Sequence, residues 1–292
     1  MRMSITAILA ATLTLAACSS PGGDASTATT DAKGSTTYGK CTVTGKRGEF
    51  KLDPTAKNTL TVQGDLPSPG WWNGDTVKAI KDGYEYCMAA NIAYRAGLDK
   101  LKIANASFDA LVAGKTHDFD LALAEISITE ERRKAVTFSE PYYASNIAVL
   151  VKGDSTVTAA NLPKLRIGVK QGTTGAAFVA DKIKPASAPS VFAGDPEMDA
   201  ALQAGQIDVA MTDVAIVLGK ANKSGGKLKV VGQYDTGESY GALYPKGSAN
   251  AATLDAIIKQ MREDGTFDSL ATTYLGPAFG GDPKTIPVWT VS

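Results

Sequence analysis

The sequence predicts an α/β fold in two lobes, and three observations lead there. Short apolar strands alternate with amphipathic helical stretches through residues 60–275. The 292 residues suffice for two compact units of about 100 to 150 residues each. A content of 44% hydrophobic and 21% charged residues is too apolar for a disordered chain. In order, strands are expected at 60–62, 102–104, 121–124, 147–151, 166–169, 208–211 and 228–231. A helix around 88–95 ends at Gly97, a suitable C-terminal stop. Further helices are expected at 176–183, 197–204 and 214–221. Near the end, Leu254, Ile257, Ile258 and Met261 keep the i, i+3, i+4, i+7 spacing of a buried helical face, as do Phe267, Leu270, Ala271 and Tyr274. No repeat with a period of 20 to 50 residues is visible.

Thirty Lys+Arg balance thirty Asp+Glu, so no basic field draws the chain to nucleic acid, where affinity rests on phosphate neutralisation. His117 is the one imidazole, and the cysteines stand at 18, 41 and 87. That leaves no zinc-ligand spacing, and neither a metal nor a cofactor is expected. Residues 1–17 read as a signal peptide: Arg2, then an apolar run from Ile5 to Ala17 that is too short for a bilayer span of about 20 residues. Leu15-Ala16-Ala17-Cys18 resembles a bacterial lipobox, in which the cysteine is lipidated. The alternative is a plain secretory signal with Cys18 incidental. Residues 18–40, rich in Ser, Thr and Gly, read as a flexible tether. Cys41 and Cys87 then form a disulfide, as export permits, or remain two buried thiols.

Several motifs in sequence order carry a resemblance. They are Gly83-Tyr84-Glu85-Tyr86, Asp120-Leu121-Ala122-Leu123-Ala124, Ile126-Ser127-Ile128-Thr129-Glu130-Glu131-Arg132 and Phe138-Ser139-Glu140-Pro141-Tyr142-Tyr143. The second half adds Gly168-Val169-Lys170-Gln171-Gly172-Thr173-Thr174, the stretch from Ala204 to Asp213, and Tyr240-Gly241-Ala242-Leu243-Tyr244. Together they cover residues 58–275, and the chain resembles the polar amino-acid-binding family of ABC-importer solute-binding proteins. The resemblance implies a periplasmic-binding-protein-like fold: two mostly parallel sheets flanked by helices and joined by two crossing strands near 147–151 and 240–244. Lobe 1 would comprise 41–148 plus 243–292, and lobe 2 149–242. It further implies a monomer, tethered by lipid on the outer face of the cell membrane, that captures a polar or charged L-amino acid and presents it to permease subunits.

The same resemblance implies the site. Arg132 would clamp the ligand's α-carboxylate bidentately, where a random arginine in such a charged run would be a solvated surface charge. Ser127 would contact the same group. Thr173 and Thr174, opening a helix, would offer N–H groups to it or serve as an ordinary cap. Asp213 would pair with the ammonium, cap the helix from Val214, or do both. Asp65 and one of Trp71 and Trp72 would line the side-chain pocket, the other Trp covering the lobe 1 surface. The stretch 104–108 shows no clear match to a second stacking aromatic. Glu125 departs from the family's small residue, and a buried acid there suits a cationic ligand side chain or a local basic partner.

Two other classes compete. An enzyme on this fold would use Glu125 or Asp65 as proton donor, although no nucleophile–base pair is visible in the sequence. A sensor lipoprotein would bind its ligand and signal to a separate partner, and a further alternative is a binder of a non-standard amino acid or an amino-acid derivative.

Overall fold

The computed structural model describes residues 25–32 and 34–291. The signal peptide expected at 1–17 and the lipidation expected at Cys18 lie outside the described residues. The chain enters through four short strands: β1 (Ser26–Thr27), β2 (Thr29–Thr30), β3 (Thr36–Tyr38) and β4 (Cys41–Thr42). β1 runs antiparallel along the first sheet's edge, Ser26 opposite Leu101, while β2, β3 and β4 form a small antiparallel sheet. The expected flexible tether over 18–40 is therefore corrected from residue 25 onward. Its threonines are β-branched, and ladder pairing satisfies the backbone where side-chain burial cannot. Tyr38 is fully buried and donates to the Leu98 carbonyl. Cys41 and Cys87 are joined by a disulfide, their Cα atoms 5.4 Å apart.

The first lobe follows with β5 (Thr59–Gly64), α1 (Tyr84–Arg95), β6 (Lys100–Asn105), α2 (Phe108–Val112), β7 (Leu121–Ala122), α3 (Glu130–Ala135) and β8 (Thr137–Phe138). β5 lies parallel to both β6 and β7. α1 starts four residues before the predicted Met88. Gly83, at φ 122°, brings the backbone so close that a Cβ there would sit 2.3 Å from the Trp71 carbonyl oxygen. β7 ends earlier than predicted, because the chain turns toward the other lobe through Glu125 at φ 48°, a left-handed conformation costly for a side-chain-bearing residue.

β9 (Tyr143–Lys152) crosses to the second lobe, which continues with β10 (Ile167–Lys170), α4 (Thr174–Phe178), β11 (Ser190–Phe192), α5 (Asp195–Ala204), β12 (Val209–Asp213), α6 (Val214–Lys223) and β13 (Leu228–Tyr240). β14 (Leu243–Tyr244) then returns to the first sheet between β7 and β8. α7 (Ala251–Glu263) buries Leu254, Ile257, Ile258 and Met261, as its periodicity predicts. The predicted helix at 176–183 is α4 continued by a wider-wound turn, and α8 (Thr266–Leu270) is extended in the same way over the predicted 267–274.

Three further expectations are revised. Both sheets are mixed rather than mostly parallel, because the strands that connect the lobes run antiparallel to their neighbours: β9 against β12 and β13, and β14 against β7 and β8. Residues 147 and 148 belong to the second sheet, since Ile147 already pairs with Asp213, so the boundary at 148 moves toward the N-terminus. The chain's end does not stay on lobe 1. Trp289 N–H donates to the Gln233 carbonyl at 2.7 Å, Gln233 N–H donates to the Pro287 carbonyl at 2.9 Å, and the Trp289 ring fills the space left by Gly232.

Candidate functional site

Strand ends and helix starts of both lobes converge on one cleft, the usual place for ligands in open α/β sheets. The first lobe contributes Asp65 just after β5, the Pro67-Ser68-Pro69 turn, Phe108, and the run Ala124, Glu125 and Ser127 with Arg132 of α3. The second contributes Lys170 at the end of β10, Thr173 and Thr174, Asp195, Thr212 and Asp213 at the end of β12, and Ile216 and Lys220 of α6.

Arg132 is held by α3, whose cap Thr129 accepts its backbone N–H at 3.1 Å. The guanidinium donates to the Ser127 carbonyl at 2.5 Å in its own lobe and to the Gly172 carbonyl at 3.0 Å in the other. It lies 5.2 Å from the centre of the Phe108 ring. Both carbonyl partners are neutral, and Arg132 forms no ion pair among the described residues. Burial lowers its pKa, while the more distant Asp213 and Glu238 raise it. A desolvated guanidinium fixed by two lobes and an aromatic face keeps the planar fork that pairs bidentately with an anion such as a carboxylate.

Asp213 is buried, and its Oδ2 accepts from the Tyr240 hydroxyl at 2.6 Å. Asp213 stands at the N-cap position of α6, and its side chain makes no capping hydrogen bond. Burial, then Glu238, push its carboxyl up to about 7, against the pull of Tyr240 and Arg132. Thr173 does cap α4: its Oγ1 accepts from the Ala176 N–H at 3.1 Å and donates to the Lys170 carbonyl at 2.8 Å. Ser127 and Thr174 turn their hydroxyls to Glu238, each donating at 2.6 Å. Sequence reasoning missed Glu238, which sits on the crossing strand β13 with no cue in its neighbours.

A chain of alternating charges closes the cleft's other end. Lys170 bridges Asp65 of lobe 1 and Asp195 of lobe 2, the latter at 2.7 Å. Lys220 holds Asp195 at 2.5 Å and Asp199 at 3.0 Å. Burial works against the Lys170 charge, but Asp195 and Asp65 outweigh it and hold the ammonium above the ordinary lysine range. Burial likewise raises the Asp195 carboxyl, and Lys220 and Lys170 overcome it, leaving it below the ordinary carboxylate range. Lys170 lies in the motif Gly168-Val169-Lys170-Gln171-Gly172-Thr173-Thr174 and Lys220 in none, and nothing local in the sequence marks either as a cleft residue. Only the fold brings them together, since Asp65 and Lys170 are 105 residues apart.

The tryptophan expectation is corrected: both Trp71 and Trp72 are fully buried and neither lines the cleft. Trp71 sits edge-on among Tyr84, Tyr143 and Tyr240. Trp72 packs on Tyr86 and donates its Nε1–H to Glu85 at 2.7 Å. Rings this large gain more by joining an apolar core than by lining a cleft of charges. The aromatic that faces the cleft is Phe108, in the stretch that shows no clear aromatic match in the sequence. Glu125 does face the cleft, beside Ser68. Among the described residues no group of three or more His, Cys, Asp and Glu side chains could hold a metal ion, and no helix is long and apolar enough to cross a membrane.

Known proteins are similar to this chain in sequence and in fold. The ABC transporter glutamine-binding protein GlnH of Bacillus subtilis is 35% identical over 156 residues, 52% of this chain and 56% of the relative's own length. The L-cystine-binding protein TcyJ of Escherichia coli is 28% identical over 228 residues, 75% of this chain and 84% of that one. Among solved structures, an ancestral arginine-binding protein bound to glutamine is 28% identical, with a TM-score of 0.66 over 76% of this chain and 99% of its own. The sequence model of bacterial extracellular solute-binding proteins, family 3, matches residues 75–277, which take in Arg132, Asp213, both lysines and both crossing strands, and the chain belongs to that family.

Proposed function

We propose that the chain is the substrate-binding component of an ABC importer and captures a polar or charged L-α-amino acid between its lobes. The observation that carries this reading is the placement of Arg132 and Asp213 on opposite sides of one cleft, both buried and neither in an ion pair among the described residues. A zwitterionic amino acid supplies the two missing partners at once, its carboxylate to Arg132 and its ammonium to Asp213. Those two residues stand on different lobes, so a ligand holding both binds the closed state better than the open one. That differential affinity couples capture to closure. The chain is read as a binder rather than an enzyme, acting as a monomer tethered by lipid at Cys18 on the outer face of the cell membrane. The family and the names of its relatives support the transport partner.

A thermal-shift screen of the purified protein against the twenty L-amino acids, ornithine, citrulline and a few dipeptides tests the reading. A ligand at 100 times its dissociation constant adds about 2.7 kcal/mol, and at least one L-amino acid is expected to do so. Stabilisation by none of them contradicts it.

A further inference from the structure

The wall of the cleft between Ser68 and α1 is acidic in an unusual way. The Glu125 carboxyl lines the cleft and accepts from the Ser68 hydroxyl at 2.9 Å through Oε2. Its Oε1 is buried and meets no hydrogen-bond donor among the described residues. Behind it lies Glu85 of α1, fully buried, whose oxygens are already engaged: Oε1 by the Glu125 N–H at 2.9 Å and by the Tyr142 hydroxyl, Oε2 by Trp72. Glu85 has nothing to donate to Glu125 unless one of the two carries a proton.

The cations of the cleft are spoken for. Lys170 and Lys220 each hold two carboxylates, and Arg132 is the one clamp for an α-carboxylate. A ligand bearing a second carboxylate finds no uncommitted ammonium in the cleft among the described residues, whereas a ligand bearing a cationic head finds in Glu125 a carboxyl that forms no ion pair among them. An unpaired buried acceptor is costly, and an unpaired buried charge more so.

Resting on the amino-acid clamp proposed above, we infer that Glu125 determines specificity for the ligand's side chain, and that the preferred class is basic L-amino acids, whose guanidinium or ammonium head takes the place of a proton at the Glu85–Glu125 pair. The groups facing Glu125 agree with such an exchange. Burial, then Glu85, drive its carboxyl well above the ordinary range; Asp195 adds to this, while Ser68 and Lys170 oppose it. Tyr142 and Tyr240 nearby stay neutral, their hydroxyls raised mainly by burial. The pair therefore keeps a proton when the cleft is empty and releases it to solvent when a cationic head arrives. Asp213 gives up its own proton to any α-amino acid, so the exchange at Glu125 shows as a difference between ligands.

L-Arginine and L-citrulline have nearly the same shape and differ in side-chain charge. Titration calorimetry of both on the wild-type protein and on Glu125→Gln, in two buffers of different ionisation enthalpy, reads affinity and protons together. Wild-type protein is expected to prefer arginine by roughly 30-fold or more, the scale of a buried charge pair, and to release more protons with arginine than with citrulline. Glu125→Gln is expected to lose both differences while still binding citrulline, which also shows that the variant is folded. The wild-type proton count stands as a test even if the variant fails to fold. Equal or tighter binding of citrulline to wild type, or a variant that keeps the arginine preference, overturns the specificity assignment and leaves the clamp standing. Binding of no amino acid at all overturns the clamp, and this inference with it.

Discussion

Ser127 in one lobe and Thr174 in the other donate their hydroxyls to the same oxygen of Glu238, each at 2.6 Å. Glu238 belongs to β13, the strand that carries the chain back to lobe 1, so one carboxylate on the crossing ties both lobes together.

Removing that tie is expected to loosen the closed arrangement without ligand. Glu238→Ala should enlarge the radius of gyration of the ligand-free protein in small-angle scattering, while the ligand-bound form keeps its wild-type value. Identical ligand-free scattering of variant and wild type contradicts the tie.

In the proposed clamp, Asp213 should make binding depend on pH with a definite sign. With its carboxyl pushed up to about 7, a proton competes with the ligand's ammonium below that pH, so affinity should rise with pH by up to about tenfold per unit and level off above 7. The folded, ligand-free chain binds this proton more tightly than the unfolded chain does. Its contribution to stability is accordingly greatest at low pH and is lost as pH rises toward 7. Asp213→Asn should weaken binding by roughly 30-fold or more and flatten this part of the profile, as calorimetry between pH 5 and 8 will show.

The aromatic assignments separate stability from recognition. Phe108→Ala should weaken ligand binding about tenfold, since Phe108 lies against both Arg132 and Lys170. Trp71→Ala should leave the ranking of ligands unchanged and cost about 3 to 5 kcal/mol of stability by opening the core. Urea melts together with a ligand panel distinguish the two.

Much of this was legible in the sequence for identifiable reasons. The helix of Leu254, Ile257, Ile258 and Met261 follows from a period that burial alone produces, and the two lobes follow from alternating elements sized for them. Arg132 and Asp213 stood out only through their motifs, because nothing local marks an arginine in Glu130-Glu131-Arg132-Arg133-Lys134 as buried. The misses share a cause. The lysine–aspartate chain, the tie at Glu238 and the pairing of Glu85 with Glu125 are contacts between distant segments, invisible to spacing. The folded segment before Cys41 lacked apolar residues, and its order comes from edge pairing and a disulfide instead.

That disulfide should matter measurably. Closing a loop of 46 residues is worth about 4 kcal/mol in the chain-entropy model, so replacing Cys41 and Cys87 by alanine should lower Tm by roughly 10 °C. Amides of residues 36–42 should also exchange faster with solvent. An unchanged Tm under reductant, with the bond shown to be broken, contradicts the pinning role.

Calorimetric titration of the best ligand from the screen into wild type and Arg132→Ala decides whether a zwitterionic amino acid completes the buried charges of the cleft. Saturable one-to-one binding to wild type is expected, with a loss of at least about 100-fold in the folded variant, the scale of a buried charge left without its partner. Binding to Arg132→Ala within a few-fold of wild type would contradict it.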